Sequence, residues 1–268
     1  MKLRRVLALL LIAVSLLNLQ SCKMFEKSPA ADVKYRKFND NFCSAYDLTK
    51  KGEKKEVVYV LDEYKGAQVT NLGRVRLVAE AAHFGGENVK KIYLPWSITS
   101  IYKECLYGIK TRYVISASNS MVPATVRGSS DLVYDGNYRN LTFVIPLYAY
   151  EEISAKGRLR RLTDTGGYYD VYEELYEKCI PANIAYFFNY EDSPNAGYFF
   201  VDLLEETGKL TKPPYDPKRE GYEFAGWYTD KECTKRFNFF IDNVTIYYDE
   251  EGNRIYEEFC LYAKWDKK

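Results

Sequence analysis

Hydrophobic residues in this chain fall into short clusters separated by polar, turn-forming stretches, a pattern of short strands more than of long helices. Residues 6–17 form an almost unbroken apolar run behind Lys2, Arg4 and Arg5. Residues 23–55 are polar and rich in lysine; Phe38, Phe42, Cys43 and Tyr46 predict that the middle of this tether-like stretch docks or turns helical. Strand-like segments follow at Lys91-Ile92-Tyr93-Leu94-Pro95, at Arg112-Tyr113-Val114-Ile115-Ser116 and at residues 141–146. Val69-Thr70-Asn71-Leu72-Gly73 is echoed 29 residues later by Ile98-Thr99-Ser100-Ile101-Tyr102. One short strand per unit at a fixed period of roughly 20 to 50 residues signals stacked repeats. Residues 147–181 read as more helical, with Tyr172, Leu175, Tyr176 and Cys179 at helical spacing and Pro181 past the end. Beyond them, residues 184–190 and 198–201 predict a hairpin turning on Asp192-Ser193-Pro194-Asn195.

Composition narrows the chemistry. The 268 residues carry 26 tyrosines and 14 phenylalanines against 3 methionines. Tyrosine suits both pleated strand surfaces and recognition surfaces, so strand packing and a Tyr-rich binding face are both open. A net charge of +1 gives no electrostatic case for nucleic acid. His83 is the single histidine and precedes a Gly-Gly pair, as a helix-end or turn residue would. No CxxC, HExxH, GxSxG, GxxxxGK[ST] or GxGxxG is present, and neither a metal site nor a cofactor is expected. Asp249-Glu250-Glu251-Gly252-Asn253 lacks the ligand spacing of a calcium loop and predicts a hairpin turn. Lys156, Arg158, Arg160 and Arg161 form a basic cluster, most simply a solvated loop. Of the five cysteines after Cys22, Cys233 and Cys260 are the candidate disulfide pair, while Cys105 and Cys179 read as buried thiols.

Three resemblances add to this reading. A basic start, an apolar run too short for a span of about 20 residues, and Leu19-Gln20-Ser21-Cys22 resemble the signal and lipobox of bacterial lipoproteins. That resemblance implies diacylglyceryl transfer to the Cys22 thiol and cleavage before it. Lys91-Ile92-Tyr93-Leu94-Pro95-Trp96-Ser97-Ile98-Thr99-Ser100-Ile101 resembles the BspA-type leucine-rich repeat, with Cys105, Leu106 and Gly108 on its Ala, Phe and Gly positions. Ile92, Leu94, Ile98 and Ile101 would then stack inward, and Pro95 would end the strand. Gly221-Tyr222-Glu223-Phe224-Ala225-Gly226-Trp227-Tyr228-Thr229-Asp230, followed by Leu261-Tyr262-Ala263-Lys264-Trp265, resembles the internalin B-repeat family. This implies a small β-grasp-like module with a mixed sheet, in which Tyr222, Phe224, Trp227 and Trp265 are core or near-core and Gly221 and Gly226 serve turns or close packing. Tyr228, Leu261 and Tyr262 complete the marker set, and residues 247–256 stand out as an inserted hairpin.

The expected class is therefore α+β and strand-rich, a short degenerate leucine-rich-repeat-like array followed by a β-grasp-like module. The expected divisions are a signal at 1–21, a lipidated tether at 22–55, the array at 56–165, a connecting helix at 166–182 and the module at 183–268. The resembled families are non-enzymatic surface proteins, which implies an exported lipoprotein held on the outer membrane or cell surface through Cys22, with a protein or glycan ligand. A structural spacer is the alternative, and a glycan-active enzyme using paired carboxylates is a third reading that no motif marks. Replacing Cys22 by Ser is expected to abolish incorporation of labelled palmitate and leave the uncleaved form; continued labelling would refute the lipobox.

Overall fold

A computed structural model describes residues 31–73, 84, 86–102, 106, 110–118, 126–127, 141–156, 160–162, 168–170, 179–255 and 257–268. Strands β1 (Val33–Lys37) and β2 (Phe42–Leu48) form an antiparallel hairpin; the chain then crosses to β3 (Val57–Tyr59) and returns through β4 (Glu63–Tyr64) to β5 (Ala67–Leu72). The same alternation continues through β6 (Lys91–Leu94), β7 (Ser100–Tyr102), β8 (Tyr113–Ser116), β9 (Val126–Arg127) and β10 (Thr142–Ile145). Strands β2, β5, β7 and β9 pair in parallel in one sheet, and β3, β6, β8 and β10 do so in a second. The chain is thus a two-sheeted coil. The 29-residue echo is its physical repeat: Asn71 pairs with Ser100 and Leu72 with Ile101. Asn71 Nδ2 donates to Ser100 Oγ at 2.7 Å, and Thr99 N to the Thr70 carbonyl at 2.8 Å.

Alternation along the second sheet sorts side chains onto two faces. Ile92 and Leu94, Val114, and Phe143 and Ile145 point into the coil, where they meet Val69, Leu72, Ile98, Ile101 and Leu106. Tyr93, Tyr113, Ile115 and Val144 point the other way, into a second core shared with the C-terminal residues. Burial on both faces explains why these parallel strands read as near-continuous apolar runs. Ile92, Leu94, Ile98 and Ile101 all lie inside, as expected, and β6 stops before Pro95.

After β10, Pro146 leads into α1 (Leu147–Lys156), which buries Ala149. Strands β11 (Arg160–Leu162) and β12 (Tyr168–Asp170) pair with each other, and β13 (Cys179–Pro181) adds to the second sheet beside β10. The C-terminal module comprises β14 (Ile184–Phe187), β15 (Tyr198–Asp202), β16 (Tyr222–Tyr228), β17 (Tyr247–Tyr248), β18 (Arg254–Ile255) and β19 (Phe259–Lys267). Its sheet order is β15-β14-β19-β16, with β14 and β19 parallel and the outer pairs antiparallel, the mixed sheet expected. Strands β17 and β18 form the inserted hairpin around residues 249–253.

Several expectations are corrected. The fold is all-β, not α+β: α1 is the one α-helix among the described residues, and the described part of the C-terminal module has none. Where a β-grasp-like module would bring a helix, residues 203–221 cross as extended chain, burying Leu203 and Leu210. Of the connecting helix expected at 166–182, Tyr168–Asp170 and Cys179–Pro181 are strands instead, Cys179 being held in a parallel ladder beside Phe143; residues 171–178 lie outside the described residues. The tether does not run to residue 55. Val33, Cys43, Ala45 and Leu48 are buried, and β1 takes its lysines because it is a sheet edge facing water.

Leu72 is fully buried between Ala45 and Ile101 in the repeat ladder. Leu72→Ala should lower the free energy of unfolding by about 2–5 kcal/mol, measured by chemical denaturation; a loss under about 1 kcal/mol would mean that the coil interior is not the packed core described here.

Candidate binding surfaces

Two surfaces of the coil carry aromatic side chains, and their fates differ. On the outward face of the second sheet, Tyr59 and Tyr93 stack at 4.7 Å between ring centroids, and Tyr93 stacks on Phe200 of β15 at 5.2 Å. Phe200 meets Tyr186 edge-on at 5.6 Å, and Tyr186 meets Trp227 at 5.0 Å. The Tyr93 hydroxyl donates to Asp202 Oδ1 at 2.6 Å in a fully buried contact. Tyr113 Oη donates to Glu205 Oε1 at 3.0 Å, and Lys91 and Arg112 reach the same carboxylate at 3.6 and 3.5 Å. The C-terminal module therefore occupies the Tyr-lined sheet. Strand packing accounts for these tyrosines, and this face is closed to an outside ligand.

Burial pushes the Asp202 carboxyl up from its ordinary value, although the Tyr93 hydroxyl, the Leu203 amide and Lys91 all favour its charged form. The Tyr93 hydroxyl is raised by the same burial and by the Asp202 charge. Burial also raises Glu258, which Tyr198 contacts at 3.3 Å.

The second aromatic surface faces solvent. Phe38 and Phe42, 43% and 40% exposed, stand at the β1–β2 turn. Phe38 N donates to the Phe42 carbonyl, Asn39 Oδ1 accepts from Asn41 N and Phe42 N, and Gln68 N donates to the Asn41 carbonyl, so the turn is fixed to β5. Across from it Trp96 follows Pro95, with its ring edge-on to Phe188 at 5.6 Å. The groove between them encloses about 490 Å³. Gln68, Thr70, Ser97 and Thr99 supply polar lining, and Asn195 reaches in from the C-terminal module, tied to the Ala117 carbonyl at 2.7 Å.

The residues singled out in the sequence distribute as follows. Cys22, the whole signal, His83, Cys105, Gly108 and Arg158 lie outside the described residues. Trp227 is buried against Phe224 at 5.1 Å; Tyr222, Phe224 and Trp265 are half-buried, as are Tyr228 and Tyr262, which pair with each other where Tyr262 stacks on Phe187 at 5.5 Å. Trp265 Nε1 donates to the Phe188 carbonyl at 2.6 Å, and Leu261 is fully buried on β19. Gly221 and Gly226 have φ of +75° and +130°, the latter at the bulge in β16, where a Cβ would lie 3.2 Å from the Arg236 guanidinium. The Cys233–Cys260 disulfide is not formed; both thiols are free. Cys233 packs against the Ala263 carbonyl at 3.7 Å. Ala263 is three strand residues beyond Cys260, about 10 Å along β19. Cys260 turns to the Glu258 carbonyl at 3.4 Å instead. Among the described residues no group of three or more His, Cys, Asp or Glu is placed to hold a metal ion, and no helix is long and apolar enough to cross a membrane. Gln68, Thr99 and Asn195 escaped sequence reading as lining residues, since the groove joins segments distant along the chain.

Comparison with known proteins bears on the C-terminal module. The Listeria-Bacteroides repeat domain matches residues 192–264, a stretch that takes in the whole Gly221–Asp230 motif and ends one residue before Trp265. Two proteins of Evansella cellulosilytica, one named as a membrane protein and the other as a Gly-rich membrane protein, are each 31% identical over 72 residues, 27% of this chain. That segment is 9% and 7% of their lengths, so the chain spans only a small part of these relatives. The family match falls in the C-terminal module, and the two relatives are much longer proteins.

Asp202 has a raised pKa in the folded state, so its contribution to stability is fully present below the unfolded carboxylate value of about 3.9 and is lost as pH rises through the folded value. Lowering the pH from 7 towards 5 should therefore stabilise the wild type relative to Asp202→Asn, read as the difference in denaturant midpoints at the two pH values. Parallel shifts in the two proteins would show that Asp202 does not titrate against burial.

Proposed function

We propose that this protein is a non-enzymatic lipoprotein, anchored through Cys22 at the cell surface, that binds a protein or glycan. The observation that carries the reading is the solvent-facing aromatic groove at Phe38, Phe42 and Trp96. Phe38 and Phe42 leave about two-fifths of their surface in water beside Trp96, and such exposed aromatic surface suits a contact with a partner. Support for the setting comes from the repeat domain matched by residues 192–264 and from relatives named as membrane proteins. The lipobox-like Leu19-Gln20-Ser21-Cys22 supplies the anchor. Each methylene buried in the bilayer contributes about 0.8 kcal/mol, so one acyl chain holds marginally and two or more hold firmly.

A second reading, a structural spacer of the envelope, draws on one specific observation: the Tyr-lined sheet face is consumed by the C-terminal module, which makes the two parts a single block. Two measurements separate the readings. Labelled mature protein should bind intact host cells or arrayed matrix proteins and glycans saturably, and protease treatment of intact bacteria should remove it from the surface. A non-saturable signal on every target counts against binding, and survival of the protein under protease favours the spacer.

A further inference from the structure

We propose that the groove at Phe38, Phe42 and Trp96 takes sugar rings of a neutral oligosaccharide. This rests on the binding reading above and names the ligand class of that same site. The lining joins two chemistries. Phe38, Phe42 and Trp96 offer ring faces and edges, while Gln68, Thr70 and Thr99 offer amide and hydroxyl groups. A pyranose ring presents the matching pair, an apolar C–H face and a rim of hydroxyls, and small-molecule sites of this mixed kind span about 300–1,000 Å³. No Asp, Glu, Lys or Arg lines the groove, so a charged ligand would find no counter-charge there.

A peptide strand is a poorer match. β5 already has β2 on one side and β7 on the other, and the neighbouring Thr70 carbonyl is taken by Thr99 N; the groove therefore presents no free strand edge. The rings are also held ready. Three hydrogen bonds through Asn39 and Asn41 fix the turn that carries Phe38 and Phe42, so little ordering is left to be done on binding. The Gln68 carboxamide lines the groove, where its donors and acceptor can serve sugar hydroxyls.

The test uses the mature chain with maltohexaose, cellohexaose, mannohexaose and chitohexaose as neutral probes and heparin as the charged one, by calorimetry and tryptophan fluorescence. At least one neutral probe should saturate with Kd of about 1 mM or tighter and little dependence on salt. Phe42→Ala and Gln68→Ala should each weaken it roughly tenfold, while Phe240→Ala, an exposed aromatic elsewhere, should not change it. Gln68→Ala is checked for folding by its denaturant midpoint, so that a loss of binding with an unchanged midpoint reports on the groove alone. The inference is overturned if no neutral probe binds at about 10 mM, if heparin alone binds, or if both variants bind as the wild type does. Should the probes fail while binding to intact cells still saturates, the ligand class is wrong and the binding reading survives; failure of both removes both.

Discussion

Tyr93 lies on Phe200 and gives its hydroxyl hydrogen to Asp202, and the rest of the architecture depends on that junction. A parallel sheet cannot leave a face rich in Tyr, Ile and Val in water without an exposed apolar patch. The C-terminal module in turn has an aromatic sheet face of its own around Tyr186, Phe200 and Trp227. Each part covers the other. Because the buried tyrosine hydroxyl and the buried carboxylate satisfy one another, the junction also has a fixed register: sliding it would leave both polar groups buried and unpaired, at about 1–3 kcal/mol each.

The junction decides where function can sit. Covering the outward face of the second sheet closes one aromatic surface to solvent and leaves the other, at Phe38, Phe42 and Trp96, open. There the β1–β2 turn, β5 and the Trp96 segment of the coil form the groove, and docking of the module adds Asn195 to it. The groove is thus a feature of the coil that the docked module completes on one side.

Local features were legible in the sequence and distant ones were not. The 29-residue echo could be read because residues that pair across neighbouring strands must be alike, and Asn71–Ser100 and Leu72–Ile101 are those pairs. The Gly-Tyr-x-Phe-x-Gly-Trp-Tyr motif could be read because positive φ at Gly221 and Gly226 restricts those positions, and Trp227 must fill a fixed volume. The junction could not, since Tyr93 and Asp202 are 109 residues apart and a tyrosine facing a binding partner has the same alternation as one facing a docked module. Residues 33–48 were disguised by lysines that an edge strand tolerates. The proposed Cys233–Cys260 link failed because membership of one module says nothing about register along β19.

The central claim is that coil and module are one body joined at Tyr93 and Asp202. A double-mutant cycle of Tyr93→Phe and Asp202→Asn, read by chemical denaturation at pH 7, measures it directly. The account predicts a coupling energy of about 1–3 kcal/mol between the two sites with a single unfolding transition. Additive effects, or two separate transitions, would contradict it.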